Sequence, residues 1–439
     1  MTQTANPIPR STTTPQSPQA LLAGLGSSHT NSPLHIRKTH IIPASNPDQA
    51  PAPLDTLQSL LQSTKQTHPN THWLLTLAYD LAPTIEPSVL ANSPSSVRWA
   101  SSPSLQPSAI QPAPFPHIVA QHCTPLPNPP TTEPSPWSID PTKLKLIPKS
   151  HYINMVTRAL DYIAAGDIYQ VNLTHPITLP FTGSSLSLAH HLFNHTNPEM
   201  GSFTTFDDNT NPDQTTRHAI ISLSPETFLT YTPTTNTLTT VPMKGTAPAS
   251  SDPNDLYRSE KDRAELNMII DLMRNDLARI SIPGSVKITN PRQITTHHNA
   301  VHQATATIES TPRPPKKTNT TLTDILRATF PPGSITGAPK IRAMQIIHQL
   351  EQSTRGPYCG STIHLAPDGS FTSSVNIRIL HIQGTPSKSA PDAFESATLT
   401  YHTGAGIVAD SDPESEWQET LTKASILEAA LKITLDPQQ

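Results

Sequence analysis

The chain has 439 residues, with 49 prolines, 15 glycines, two cysteines and a formal net charge of −4 at pH 7. That length builds a large core without cross-links, and Cys123 and Cys359 are too far apart and too isolated for a disulfide framework or a zinc ribbon. The balanced charge leaves no basic stripe for nucleic acid, and no apolar run of about 18 residues offers a membrane span, so the composition fits a reducing, cytoplasmic setting.

Residues 1–33 are rich in Ser, Thr, Pro and Gln and contain no acidic residue, which predicts a disordered tail. Arg10 is its only basic side chain up to that point, and four prolines interrupt the amphipathic helix that an import signal needs. Residues 34–146 are patchily ordered: HIRKTHIIP predicts a strand, LDTLQSLLQST a helix and HWLLTLAYDL a mostly apolar strand, after which 93–146 return to Pro and Ser as a linker.

From residue 147 to 435 the pattern is dense. In SHYINMVTRALDYIAAGD the apolar positions Ile153, Met155, Val156, Leu160 and Ile163 form a helical stripe ending at Gly166. Strands are predicted at IYQVNLTHPITLPF, HAIISLSPETFLTYTP and TLTTVPMKG, then a long helix from Asp255 to about Ile280. VKITN, a helix at LTDILRATF, a PPGSITGAP turn and a helix at KIRAMQIIHQLEQ follow. Three strands (STIHLAP, SSVNIRILHI, ATLTYHTG) precede a final helix from Pro413 to Lys432. Irregular alternation of this kind predicts an α+β fold with a largely antiparallel sheet.

Two helices carry acids at helical spacing. Asp262 and Glu265 are three apart and share a face, and Glu416 and Glu419 repeat the spacing with Lys423 four further on. Facing each other, they could hold Mg²⁺, which takes one or two carboxylates directly and keeps waters that the outer acids would bind. A solvated helix face with an ordinary Glu419–Lys423 pair has the same spacing. Lys244, in VPMKGT, ends an apolar strand before a glycine; desolvation there would free its neutral amine as a nucleophile, and a solvent-facing lysine is the alternative. PPGSITGAPKIRAM places small residues before a helix start, which suits either anion binding or a plain helix beginning. Gly404-x-Gly406-x-x-Ala409 is a nominal dinucleotide fingerprint, but Asp410 to Pro413 interrupt the helix it requires, so it reads as a close-packed turn. His191/His195 and His298/His302 have metal-compatible spacing without a third ligand in register and read as structural.

The segments GDIYQVNLT, SLSPETF, VPMKGT, KDRAELNMIIDLMRNDLARI, PPGSITGAPKIRAM, RGPYCGS, NIRIL and GAGIVADSDPESEWQETLTKA occur in that order. Together they closely resemble the chorismate-utilising enzymes, the family that includes anthranilate synthase component I, aminodeoxychorismate synthase component I and the isochorismate and salicylate synthases. The resemblance implies one large α+β domain of two packed antiparallel β-sheets flanked by helices. It implies Mg²⁺ bound directly by Glu265 and Glu419, with Asp262 and Glu416 holding its waters. It further implies Glu226 as general acid or base, His302 as an active-site histidine, and Ser334, Tyr358, Arg378, Gly404, Gly406 and Lys423 as a cradle for the carboxylates of chorismate.

Two positions discriminate within the family. Isochorismate and salicylate synthases resemble this chain around IYQVNL but carry a lysine base where Gln170 stands, and a glutamine cannot take a proton from water. The PxKGT form around Lys244 resembles aminodeoxychorismate synthases, whereas anthranilate synthases usually have alanine there. The resemblance therefore implies amination of chorismate through a covalent Lys244 adduct, with anthranilate synthesis as the alternative. A catalytically inactive binding subunit would be expected to have lost one of the acids or Lys244, and all are present. Neither cysteine lies in a glutaminase-type nucleophile turn, so ammonia is expected from a separate glutamine amidotransferase subunit. The chain departs from the family at Ala247 and Ala249, where basic residues are usual, and at VHQATAT and ELNM. No tryptophan-binding motif is legible before residue 147.

Overall fold

A computed structural model of the chain describes residues 19–23, 32–43, 52–91, 115–125, 135–210, 213–248, 250–297, 301–313, 320–351, 353–388 and 390–435. Its strands pair antiparallel throughout and form two sheets. The first runs Ser32–Ile42, Ile118–Pro125, His72–Leu77, Ser361–Leu365, Phe371–Val375, Thr227–Thr232, Thr237–Thr240 and Val301–Ser310 in spatial order. Met243–Pro248 follows Thr237–Thr240 along one edge of Val301–Ser310, and Lys287–His297 takes the other edge. The second sheet runs Met200–Asp208, Thr216–Ser224, Ile379–Pro386, Ala393–Ile407 and Gln170–Ser184. Trp137–Ile139 and Gly337–Ala338 pair with opposite ends of that last strand. Gln19–Ala23 pairs with a strand of each sheet and joins them. This is the α+β architecture that the sequence pattern predicts, with the two antiparallel sheets and flanking helices that the family resemblance implies.

Burial explains why the strands are so apolar. Leu75, Leu77, Ile118 and Ile363 of the first sheet, and Leu179, Phe181, Ile221, Leu380 and Leu399 of the second, are each almost fully buried in one continuous core. The helices Lys149–Ala164 and Pro413–Leu431 pack on the second sheet and on each other. Fully buried Trp417 anchors the latter helix, its ring stacked 5.2 Å from His175 and tilted against Tyr152.

Four expectations are corrected. Gln19–Ala23 and the start of Ser32–Ile42 are strands within the stretch expected as a disordered tail; the rest of that stretch lies outside the described residues. Ile118–Pro125, placed in the Pro-rich linker by sequence, is a central strand, because its prolines bracket the apolar run instead of interrupting it. The helix expected from Asp255 is two helices, Pro253–Arg258 and Glu260–Ile280. Between them the extended backbone of Ser259 lets its hydroxyl accept the Asp262 N–H, which restarts the helix. SSVNIRILHI is also not one strand: Phe371–Val375 belongs to the first sheet and Ile379–Pro386 to the second, with a corner between them where Arg378 has φ +54°.

Candidate active site

A second chain segment crosses between the sheets beside that corner. Thr216–Ser224 lies in the second sheet and Thr227–Thr232 in the first, so Glu226 sits at the crossing. The Val375 N–H donates to the Glu226 carbonyl (2.9 Å) and the Leu223 N–H to the Arg378 carbonyl (3.0 Å), which locks the two corners together. The Glu226 side chain is 4 % exposed. Burial pushes its carboxyl up to about 7, while a hydrogen bond with the Ser334 side chain and the positive charge of Lys244 pull the other way. Ser334 lies in the short turn Gly333–Ile335, whose carbonyl at Ser334 accepts from Asn172 Nδ2 (3.0 Å).

Lys244 reaches the same space from the first sheet. The register of its strand shifts between Met243 and Thr246, and this bulge contains Gly245 at φ +83°. A Cβ on Gly245 would stand 2.9 Å from Asp262 Oδ1, so only glycine lets the bulge lie against the acidic helix. The bulge aims Lys244 Nζ to 3.9 Å from Glu265 Oε2. Burial lowers the lysine pKa, Glu265 opposes that shift, Lys423 adds to it, and Glu419 and Glu226 oppose it more weakly. A Cβ on Gly406 would lie 3.2 Å from Lys244 Nζ, 3.1 Å from Gln170 Nε2 and 2.9 Å from Asn172 Oδ1. Gly406 thus clears the space on which these three side chains converge.

Gly404 and Gly406 are not in the turn that the sequence suggested. They lie within the strand Ala393–Ile407 opposite Thr174 and Asn172, where a Cβ on Gly404 would approach the Leu173 carbonyl to 2.5 Å. Lys423 Nζ donates to the Gly404 carbonyl (3.1 Å) and pairs with Glu419 (2.6 Å). Glu416, nearly buried, accepts from Ser411 Oγ (2.6 Å). Tyr358 is buried with its ring stacked 5.2 Å from His402, and burial pushes its phenol well up. His302 is placed differently from the others: its ring nitrogens meet the Ser251 carbonyl (3.1 Å) and Thr296 Oγ1 (2.9 Å), so it braces the hairpin beside the Lys244 strand. His191 meets the Ala430 carbonyl, and His298 and Ala249 lie outside the described residues.

Among the described residues no three His, Cys, Asp or Glu side chains form a ready-made metal cage. Glu265 and Glu419, on different helices, nevertheless both act on the Lys244 ammonium. Two hard carboxylates within electrostatic reach of one cation match the small protein share that Mg²⁺ takes, the remainder being water or substrate oxygen. The donor set fits that ion.

Two residues escaped the sequence reading. Asn172 could have been found from the alternation of Gln170, Asn172 and Thr174 along a buried strand. Arg355, inside the RGPYCG segment, has no local signal to separate it from any surface arginine, yet it is 1 % exposed.

A family model described as chorismate binding enzyme matches residues 18–429. Aminodeoxychorismate synthase component 1 of Salmonella typhimurium is 37 % identical over 271 residues, covering 60 % of this chain and 54 % of the relative. Anthranilate synthase component 1 of Saccharolobus solfataricus is 33 % identical over 293 residues, covering 65 % and 63 %. The chain spans about half the length of the aminodeoxychorismate synthase relatives it matches. Among solved structures, anthranilate synthase component I of Streptococcus pneumoniae superposes with a TM-score of 0.65 at 21 % identity, over 98 % of this chain and 95 % of that one. The menaquinone-specific isochorismate synthase MenF of Escherichia coli gives 0.66 at 16 % identity, over 95 % and 90 %, and both support the fold.

Proposed function

The chain belongs to the chorismate binding enzyme family, and from that premise we propose that it is an aminodeoxychorismate synthase component I, aminating chorismate to 4-amino-4-deoxychorismate for p-aminobenzoate and folate synthesis in the cytoplasm. The observation that carries this reading is Lys244 itself: a lysine of lowered pKa, aimed by a bulge into the space that Gly406 leaves open, between Glu226 and Glu265. Burial acts in the direction that a nucleophilic lysine requires, toward the neutral amine.

In this reading the Lys244 amine adds to C2 of the chorismate ring, the diene shifts, and the C4 hydroxyl leaves as water with the proton held by Glu226. Ammonia then adds to C4, the diene shifts back, and Lys244 leaves C2 as the free amine. Glu226, now a carboxylate, takes the surplus proton from the new ammonium. A carboxyl with a pKa of about 7 is matched to both tasks. Ser334 orients it, and Lys423, Arg378 and Tyr358 would bind the carboxylates of the substrate. Mg²⁺, held by Glu265 and Glu419 with Asp262 and Glu416 on its waters, would neutralise the ring carboxylate and draw electron density from the leaving hydroxyl. Gln170 offers an amide and no base, which favours ammonia over water as the second nucleophile.

Ammonia would come from a separate glutamine amidotransferase subunit. Burial pushes the thiols of Cys123 and Cys359 up to about 12, so neither provides the thiolate that glutamine hydrolysis needs.

The test is product analysis by liquid chromatography and mass spectrometry with purified protein, chorismate, Mg²⁺ and ammonium. Aminodeoxychorismate without pyruvate is expected, and Lys244→Ala should abolish it. Anthranilate with matching pyruvate would move the chain to the tryptophan branch. No turnover, with a candidate amidotransferase added, would favour a binding subunit.

A further inference from the structure

Arg355 is a fully buried charge for which the reaction above has no use, and its hydrogen bonds reach the backbone of two pocket walls. Its Nη2 donates to the Asn172 carbonyl (2.8 Å) and its Nη1 to the Ile335 carbonyl (3.1 Å). The remaining donors form a fork on Glu351: Nε to Oε2 at 2.9 Å and Nη2 to Oε1 at 2.6 Å. Glu351 Oε1 also accepts the Thr174 N–H (2.8 Å), and the guanidinium lies 4.5 Å over the Tyr79 ring. Asn172 and Thr174 belong to the strand that begins at Gln170, and Ile335 follows Ser334, the partner of Glu226. The strand and the turn also meet directly, through the Asn172 N–H to the Thr336 carbonyl (2.8 Å) and Asn172 Nδ2 to the Ser334 carbonyl (3.0 Å). One rigid planar group braces that junction from behind by holding the Asn172 and Ile335 carbonyls together.

Resting on the reading of the site given above, we propose that Arg355 is a positioning residue for chorismate turnover, holding Ser334 and Asn172 at a fixed separation through their backbones. A fork of five N–H groups spans two carbonyls and a carboxylate at once, which a lysine ammonium on a flexible stem cannot. It touches no substrate, so its loss acts on the geometry of the chemical step and leaves chorismate binding nearly intact.

The experiment is steady-state kinetics of Arg355→Lys, alone and combined with Ser334→Ala. Lysine keeps the charge opposite Glu351, so the variant is expected to fold. The expected result is a kcat lowered about 10- to 100-fold with KM for chorismate within about threefold. Because both changes act through one hydrogen bond, the double variant should be little slower than Ser334→Ala alone. Amide exchange at residues 334–336 should quicken about tenfold at an unchanged global melting temperature. A wild-type kcat, or fully additive losses, overturns the proposal. Should Arg355→Lys fail to fold, Tyr79→Leu removes the ring beneath the guanidinium and leaves its hydrogen bonds; about a threefold fall in kcat at constant KM is expected, and none would overturn the proposal. The amination reading stands or falls on what the wild-type protein makes. The positioning inference is read from the ratio of variant to wild type for whichever product that is, and from exchange alone if there is none.

Discussion

Glu226 pays for its reactivity in stability, and the sign can be worked out. Its carboxyl titrates at about 7 in the fold against 4.5 in the unfolded chain. Between those values the native state holds a proton that the unfolded chain has released, so stability falls as pH rises through that window and is lowest above it. The difference amounts to about 3 kcal/mol at most. Glu226→Gln keeps the hydrogen-bonding shape without the charge. It should raise stability toward urea at pH 8 by up to about 3 kcal/mol, leave it nearly unchanged at pH 5, and lower kcat by at least about 100-fold. Equal urea midpoints at pH 8 would mean that the carboxylate is solvated. The same titration shapes activity: turnover should decline above about 7, as Glu226 loses the proton it donates, and also on the acid side, as Lys244 becomes fully protonated. Gly406→Ala tests the space itself. The new methyl would crowd three side-chain tips at 2.9–3.2 Å, all able to yield, so the fold should survive while KM for chorismate rises roughly tenfold.

At the scale of elements, the acidic helix and the Ser334 turn are joined by a second buried ion pair. Lys340 Nζ donates to Asp276 and to the carbonyls of Thr329 (3.0 Å) and Pro331 (2.9 Å), satisfying all three of its protons. Asp276 follows Glu265 by eleven residues, about three turns, and so shares its face. Lys340→Met should cost about 3–5 kcal/mol in urea unfolding, because Asp276 is left charged and alone. The pair Lys340→Met/Asp276→Leu should recover most of that. These elements differ in how much of them the sequence shows. The stripe Leu266, Ile269, Ile270, Met273 and Leu277 announces the helix, and Lys244, Glu226 and the two acid pairs stand in segments ordered well enough to be found. The break at Ser259 was present as a Ser-x-x-Asp capping pattern, but helical residues on both sides masked it. The corner at Arg378 left only a faint trace: apolar residues alternate at Val375, Ile377 and Ile379 and then change phase at Leu380 and Ile382, and it takes the backbone to show that the chain leaves one sheet for the other there. Arg355 was nearly silent for a related reason: its spacing four residues after Glu351 is that of any surface helix pair, and its links to the two pocket walls are backbone carbonyls, which carry no sequence signature.

For the whole molecule, the legible motifs and the continuity of the structure mark the chain in different places. The motifs begin at about residue 147, yet the hydrogen bonding crosses that point freely. His72–Leu77 lies in register with Ser361–Leu365, and a Cβ on Gly360 would stand 1.9 Å from the Leu77 carbonyl. Tyr79 donates its N–H to the Gly356 carbonyl (2.8 Å) and Asp80 accepts the Gly356 N–H (2.8 Å), so the N-terminal residues brace the turn that holds Arg355 and Tyr358. Backbone pairing places few demands on side-chain identity, which is why this region carries few legible motifs while remaining part of the same core. A fragment lacking residues 1–146 would lose Leu75, Leu77, Ile118 and Val119 from that core and expose the edge of Ser361–Leu365. Calorimetry should give the full chain a single cooperative transition, with activity lost in the same interval, and the fragment none. A fragment that melted cooperatively and still bound chorismate would show that the motif-bearing part folds alone and that the bracing around Gly356 is dispensable.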